Sequence, residues 1–236
     1  MINYEELLNE NIKNVKPSGI RKFFDIANEM EDIISLSVGE PDFTTPWHVR
    51  EAGIHSLEKG RTWYTPNRGF SELREEISKY FKRRFNVEYV PEKEVLVTVG
   101  GSEAIDLCIR SLVSHGDEVL IPQPCFVCYE PMTLMAGGTP VIIETKAEDE
   151  FRLTPEQLEE KITDKTKLLI LPFPNNPTGA VMRRGDLEKI ADVLRKHNII
   201  VLSDEIYGEL TYGDERHVSF AEIEGMKERT IVVNGF

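Results

Sequence analysis

Four short stretches of this 236-residue chain carry residue types that could do chemistry. Gly100-Gly101-Ser102-Glu103 offers two glycines for a tight turn and then a sequence able to open a helix. Free N–H groups at a helix start, with the helix dipole behind them, make an anion site suited to a phosphate. An ordinary strand-to-helix turn has the same composition, and Gly-Gly-Ser alone does not separate the two. Pro172-Phe173-Pro174-Asn175-Asn176-Pro177-Thr178-Gly179 would hold an amide side chain on a rigid loop, although a plain Pro/Gly turn reads alike. Ser203-Asp204-Glu205-Ile206-Tyr207 places a carboxylate at the end of an apolar run, where low dielectric makes it want a partner. That Asp could equally cap a following helix. A turn of helix there would bring the Tyr207 phenol onto the same face. Pro122-Gln123-Pro124-Cys125-Phe126 sets an aromatic ring in a similar position, with a core phenylalanine as the alternative.

These residues need a scaffold, and the apolar pattern supplies one. Runs at 95–99, 118–121, 140–144, 167–171, 199–203 and 230–233 read as strands. Helical patterns lie at about 46–59, 71–85, 100–113, 129–136 and 185–196, and Thr154-Pro155-Glu156-Gln157 is a capped helix start. Before these come a polar helix, a second helix near 19–29 and a short apolar run at 33–36. Strands alternating with helices imply βαβ units and a mostly parallel central sheet flanked by helices, an α/β fold. Ligands of such sheets bind beyond the carboxyl ends of the strands. A phosphate cradle, a flat aromatic, a buried carboxylate, an amide and a phenol then converge on one sheet edge. Together they suit a planar, phosphorylated, cationic heteroaromatic ligand. Neither G-x-G-x-x-G nor G-K-[ST] occurs in the glycine turn, so a dinucleotide or nucleoside triphosphate is poorly supported.

Composition narrows the partners. The chain has 28 Lys and Arg against 41 Asp and Glu, a formal net charge of −13. Nucleic acid and anionic membrane both repel such a charge. The 40% hydrophobic content suffices for a core and excludes a disordered chain. The first residues show no basic region followed by an apolar one, and no apolar run could span a bilayer. Three cysteines make no disulfide framework, so a cytoplasmic location is expected. Cys125 and Cys128 form a C-x-x-C after a strand, which could be a redox pair or half a zinc site. No second Cys/His pair completes a zinc site, and Phe126 and Tyr129 beside the motif suggest another use. Cys108 falls on the apolar side of its helix, a core position.

Ser37-Val38-Gly39-Glu40-Pro41-Asp42-Phe43, Tyr64-Thr65-Pro66-Asn67-Arg68-Gly69, Gly100-Gly101-Ser102-Glu103-Ala104, Asn175-Asn176-Pro177-Thr178-Gly179 and Ser203-Asp204-Glu205-Ile206-Tyr207 resemble, in order, the motifs of the class I/II aminotransferases. That family has the aspartate-aminotransferase fold and uses pyridoxal 5′-phosphate. The resemblance implies a transfer of an amino group between an amino acid (aspartate, aromatic or related) and a 2-oxo acid, in a ping-pong cycle. It implies that residues 1–45 contribute to a smaller domain and that 46–236 form a large cofactor domain continuing past this chain. By resemblance, Asp204 pairs with the pyridinium nitrogen, which keeps the ring an electron sink. Tyr207 and Asn176 would bond the phenolic oxygen, and Phe126 would stack on the ring. Gly101, Ser102 and Glu103 would hold the phosphate through backbone N–H groups. Tyr64 would reach the phosphate of the other subunit, which implies a homodimer with shared active sites. Gly39 would face the substrate carboxylate, where a side chain would obstruct the approach. A cis peptide bond is expected before Pro177.

The resemblance also places a Schiff-base lysine about two residues after Phe236 and a carboxylate-clamping arginine further on. The chain is therefore expected to be part of a protein of roughly 380–400 residues. Lys227 precedes the last strand, at the wrong end to substitute. Two rivals remain. A C–S β-lyase of the same fold would release pyruvate and ammonia without a 2-oxo acid acceptor. A regulator carrying an aminotransferase-like module would need a DNA-binding segment ahead of the fold, for which the first 20 residues are too few and too acidic. The Pro17-Ser18-Gly19-Ile20-Arg21-Lys22-Phe23 segment is similar in aromatic, aspartate and acetyl-diaminopimelate aminotransferases alike.

Overall fold

The computed structural model describes residues 2–13, 15, 39 and 43–235. The chain divides into two compact units, one of residues 1–16 with 68–236 and one of 17–67. The boundary expected at 45/46 falls inside the second unit. The expected helix near 19–29 and the apolar run at 33–36 lie outside the described residues.

The larger unit begins with two short helices, α1 (Tyr4–Leu7) and α2 (Glu10–Lys13), where one polar helix was expected. The smaller unit carries α3 (Trp47–Glu58), which follows Pro46 and has no buried residue. In the larger unit come α4 (Ser71–Phe85), α5 (Pro91–Glu94) and α6 (Gly100–Leu112). Strand β1 (Glu118–Gln123) leads to α7 (Tyr129–Met135) and β2 (Thr139–Glu144). Then follow α8 (Pro155–Lys161), β3 (Thr166–Leu171), α9 (Arg184–Leu194), β4 (Ile200–Asp204) and β5 (Thr230–Val233). Local chemistry explains several boundaries. The Thr154 hydroxyl accepts from the Gln157 N–H while the Gln157 side chain accepts from the Thr154 N–H, a closed capping box at the start of α8. Helix α4 stops at Asn86, whose φ of 56° is left-handed.

The five strands form one parallel sheet in the order β2-β1-β3-β4-β5. Strand side chains alternate between its faces. Leu168, Ile170 and Leu202 pack with Ile105, Cys108 and Ile109 of α6 and with Tyr129 of α7. Leu169, Leu171 and Val201 pack with Leu158 of α8 and with Leu187, Ile190 and Leu194 of α9. Covering both faces explains why these strands read as nearly unbroken apolar runs. The connections leave β1 in opposite directions, so the crevice beyond β1 and β3 is a topological switch point.

One expected strand is absent. Residues 95–98 have no regular secondary structure, Val99 forms a bend, and the run joins no ladder. The Val97 N–H bonds to the Arg68 carbonyl at 3.2 Å, and Val99 is 91% exposed. β-Branched composition expresses fit to a pleated, half-buried surface, and no such neighbour stands beside this run among the described residues.

Candidate active site

Asp204 ends β4 and stands opposite Val233, the last residue of β5. Alternation sends it to the face of Leu202, toward α6 and α7. It is 6% exposed. The Tyr129 hydroxyl donates to its Oδ2 at 2.7 Å, and the Ile206 N–H donates to its Oδ1 at 3.2 Å. Burial pushes the carboxyl's pKa above its ordinary value of 3.8, the two donated bonds pull it back, and the Glu205 charge raises it again. None of these influences is a cation. Among the described residues, Asp204 is thus a buried acid with no positive partner. Burial, and then the Asp204 charge, raise the Tyr129 phenol, which stays protonated as a donor.

In the sequence Tyr129 stands out only as a neighbour of the cysteines. Its spacing of three from Phe126, at a helix start, was the available signal. That signal becomes specific only once β1 and β4 are known to end at the same edge. The Phe126 ring is 36% exposed, so it is no core residue, and lies edge-on to Tyr129 with centroids 6.1 Å apart.

The Gly100 turn has φ of 78° and opens α6, as expected. Ser102 and Glu103 are exposed in the first turn of that helix. A Cβ on Gly101 would stand 3.7 Å from Val233 Cγ1 and 4.0 Å from Ile206 Cδ1. Ile206 therefore links the helix start to the segment that holds Asp204. The loop after β3 separates its two asparagines. Asn175 is buried, and its Oδ1 accepts from the Thr178 N–H and hydroxyl, an Asx turn that shapes the loop. Asn176 is left facing outward, with its Nδ2 3.5 Å from the Tyr207 hydroxyl. Tyr207 sits on a turn rather than a regular helix and is 37% exposed. The bond before Pro177 is cis, as expected, and those before Pro124 and Pro174 are cis as well.

The structure thus brings Asp204 together with Tyr129 and Phe126, pairs Asn176 with Tyr207, and joins the Gly101 helix start to both through Ile206. Gly39 and Tyr64 belong to the other unit. Gly39 has open space where a Cβ would stand, and Tyr64 is fully exposed. Lys227 lies before β5, over the Tyr89 ring and 3.4 Å from Glu94 Oε1. Cys125 and Cys128 are free thiols pushed up to about 11 and about 12 by burial, which opposes a redox role. No group of residues able to hold a metal ion occurs among the described residues.

Residues 31–236 match the family Aminotransferase class I and II. The chain belongs to this family. It is 48% identical over 229 residues to the aspartate aminotransferase of Pyrococcus abyssi, covering 97% of this chain and 59% of that protein. It is 45% identical to aromatic-amino-acid aminotransferase 2 of Thermococcus litoralis, with the same two coverages. The solved structure of Thermus thermophilus aspartate aminotransferase with maleate superposes with a TM-score of 0.90 at 38% identity, covering 97% of this chain and 60% of that one. The chain spans about three fifths of the length of the relatives it matches. The parallel sheet with flanking helices is the fold of these aminotransferases. The family uses pyridoxal 5′-phosphate, and the residues here fit it. A pyridinium would bring a cation to Asp204, and the N–H groups at the α6 start would suit a phosphate.

Proposed function

We propose that this chain forms the cofactor-binding part of a pyridoxal-phosphate-dependent aminotransferase that exchanges an amino group between an amino acid and a 2-oxo acid. The observation that carries the reading is Asp204: a carboxyl at a strand end, buried, hydrogen-bonded on both oxygens and facing no cation among the described residues. Such a group is costly unless a bound cation completes it. Bound there, pyridoxal phosphate supplies an electron sink for the electron pair left at the substrate Cα.

The chain's own residues have the following roles. Asp204 holds a proton on the ring nitrogen by charge, and Tyr129 fixes the carboxylate's orientation. Phe126 supports the ring face. Asn176 and Tyr207 donate to the phenolic oxygen. Backbone N–H groups of Gly101, Ser102 and Glu103 hold the phosphate, with Tyr64 reaching the phosphate of a second subunit in a homodimer. Gly39 leaves room for the substrate carboxylate, and Asn176 also lies beside the substrate. Residues 1–45 join a smaller domain and 46–236 the cofactor domain. The protein works in the cytoplasm in amino-acid biosynthesis, and its three free thiols suit that compartment. No described helix is long and apolar enough to cross a membrane. Relatives named for aspartate and for aromatic amino acids support an acidic or aromatic amino acid as substrate.

The test is made on the full-length protein. An absorption band that borohydride abolishes, and amino transfer from aspartate or phenylalanine to 2-oxoglutarate, are expected. Release of pyruvate and ammonia from cystathionine with no acceptor would replace this reading by the β-lyase.

A further inference from the structure

Glu205 follows Asp204 and is fully buried, yet no part of the proposed chemistry uses it. Its Oε1 accepts from the Ser203 hydroxyl at 2.8 Å, the Ser219 hydroxyl at 3.0 Å and the Phe220 N–H at 3.0 Å. Its Oε2 lies 2.9 Å from His217 Nε2. Four partners on a single carboxylate, three of them from residues 217–220, close the intervening loop at its base. The His217 ring packs edge-on to Phe85 of α4, with centroids 5.9 Å apart. It also packs on Gly208: a Cβ there would stand 2.9 Å from His217 Cδ2 and 3.1 Å from the Glu205 carbonyl. The Gly208 N–H in turn donates to that carbonyl at 2.8 Å. Ile206 and Tyr207 are the two residues enclosed by that turn. The Tyr207 backbone is therefore held between a buried carboxylate and the residue on which His217 rests. Further out, Glu209 meets Tyr80 and Arg84 of α4, and Glu215 meets Arg183.

We propose that Glu205 and His217 form a clasp whose function is to fix Tyr207 at the distance and angle needed to donate to the cofactor's phenolic oxygen. Both are positioning residues, acting through Tyr207. The proposal rests on the pyridoxal phosphate reading of the site. Its physical basis is that a phenol 37% exposed has little packing of its own to hold it. A hydrogen bond to a developing charge loses most of its worth when the donor wanders. The backbone at Tyr207 must then be rigid, and the clasp is what makes it so.

The test uses the full-length protein loaded with pyridoxal 5′-phosphate. It reads the pH at which the bound cofactor's absorption band titrates, and the cofactor dissociation constant. A donor to the phenolic oxygen favours its anionic form, so Tyr207→Phe raises that titration pH by about one unit. His217→Ala, which leaves the three Oε1 bonds intact, is expected to raise it by at least about half as much and to weaken cofactor binding several-fold. In a Tyr207→Phe background, His217→Ala should add nothing further, because the clasp has lost what it positions. Glu205→Gln, which keeps an oxygen acceptor, should lie closer to wild type than His217→Ala does. A His217→Ala protein with unchanged titration and affinity overturns the clasp. So does a shift that simply adds to that of Tyr207→Phe. A wild-type protein that shows no cofactor band overturns the reading of the site itself, a separate failure.

Discussion

Asp204 and Glu205 are neighbouring carboxylates with opposite surroundings. Chain alternation turns Asp204 toward α6 and α7 and Glu205 toward the far side, where Ser203 and Ser219 wait. Glu205 meets four partners and is completed by the protein. Among the described residues Asp204 meets a phenol and one backbone N–H and no cation, and burial raises its pKa. The difference separates two uses of a buried charge. One is satisfied internally and holds backbone in place; the other is left short of a partner and can take a ligand.

The strongest way to break this contrast is to remove the incomplete carboxylate. Asp204→Ala is expected to lower amino transfer in the full-length protein by about a thousandfold or more, with some cofactor still bound by the phosphate site. Near-normal turnover in a steady-state assay would falsify the ring-nitrogen role. Tyr129→Phe removes only the bond to Oδ2 and should cost about ten- to a hundredfold in kcat while the fold stays intact, measured by kinetics beside circular dichroism.

Stability should move the other way for the two neighbours. Glu205→Ala leaves buried donors without an acceptor and should cost about 3 kcal/mol in urea unfolding. Asp204→Asn should stabilise the cofactor-free protein, and increasingly so as pH rises. The folded-state pKa lies above the ordinary 3.8, so between those two values the folded state binds more protons than the unfolded one. Wild-type stability therefore falls with rising pH across that window, whereas the amide does not titrate. Equal pH slopes for the two proteins in unfolding titrations would remove the contrast between the carboxylates. The smallest effect is expected at the C-x-x-C: Cys125→Ser should change turnover less than about twofold, since this partly buried thiol lies far above its ordinary value.

Much of the scaffold was legible in the chain. The strand at 230–233 and the helix at 71–85 were read at the bounds observed, and the Thr154–Gln157 cap formed as its spacing demanded. Their signals are local: period, capping chemistry and turn residues lie within a few positions of one another. The candidate site was legible in its parts, Asp204, Asn176, Phe126 and the Gly100 turn. Sorting like from like was not possible. Asn175 and Asn176 are the same residue type, and only the loop's own hydrogen bonds make the first structural and the second outward-facing. The run at 95–99 has strand composition yet no ladder, because a strand is completed by its neighbour.

By itself, then, the sequence determined the alternation of elements, the apolar faces and which chemical groups stand at the ends of strands. Tertiary structure alone decided that Tyr129 meets Asp204 across 75 residues and that His217 closes on Glu205 across 12. The order of strands was likewise decided there. The physical reason is that period and turn chemistry act over a few residues of backbone. A buried hydrogen bond between distant side chains depends on how sheet order and packing bring strand ends and loops together, and no local pattern encodes that distance.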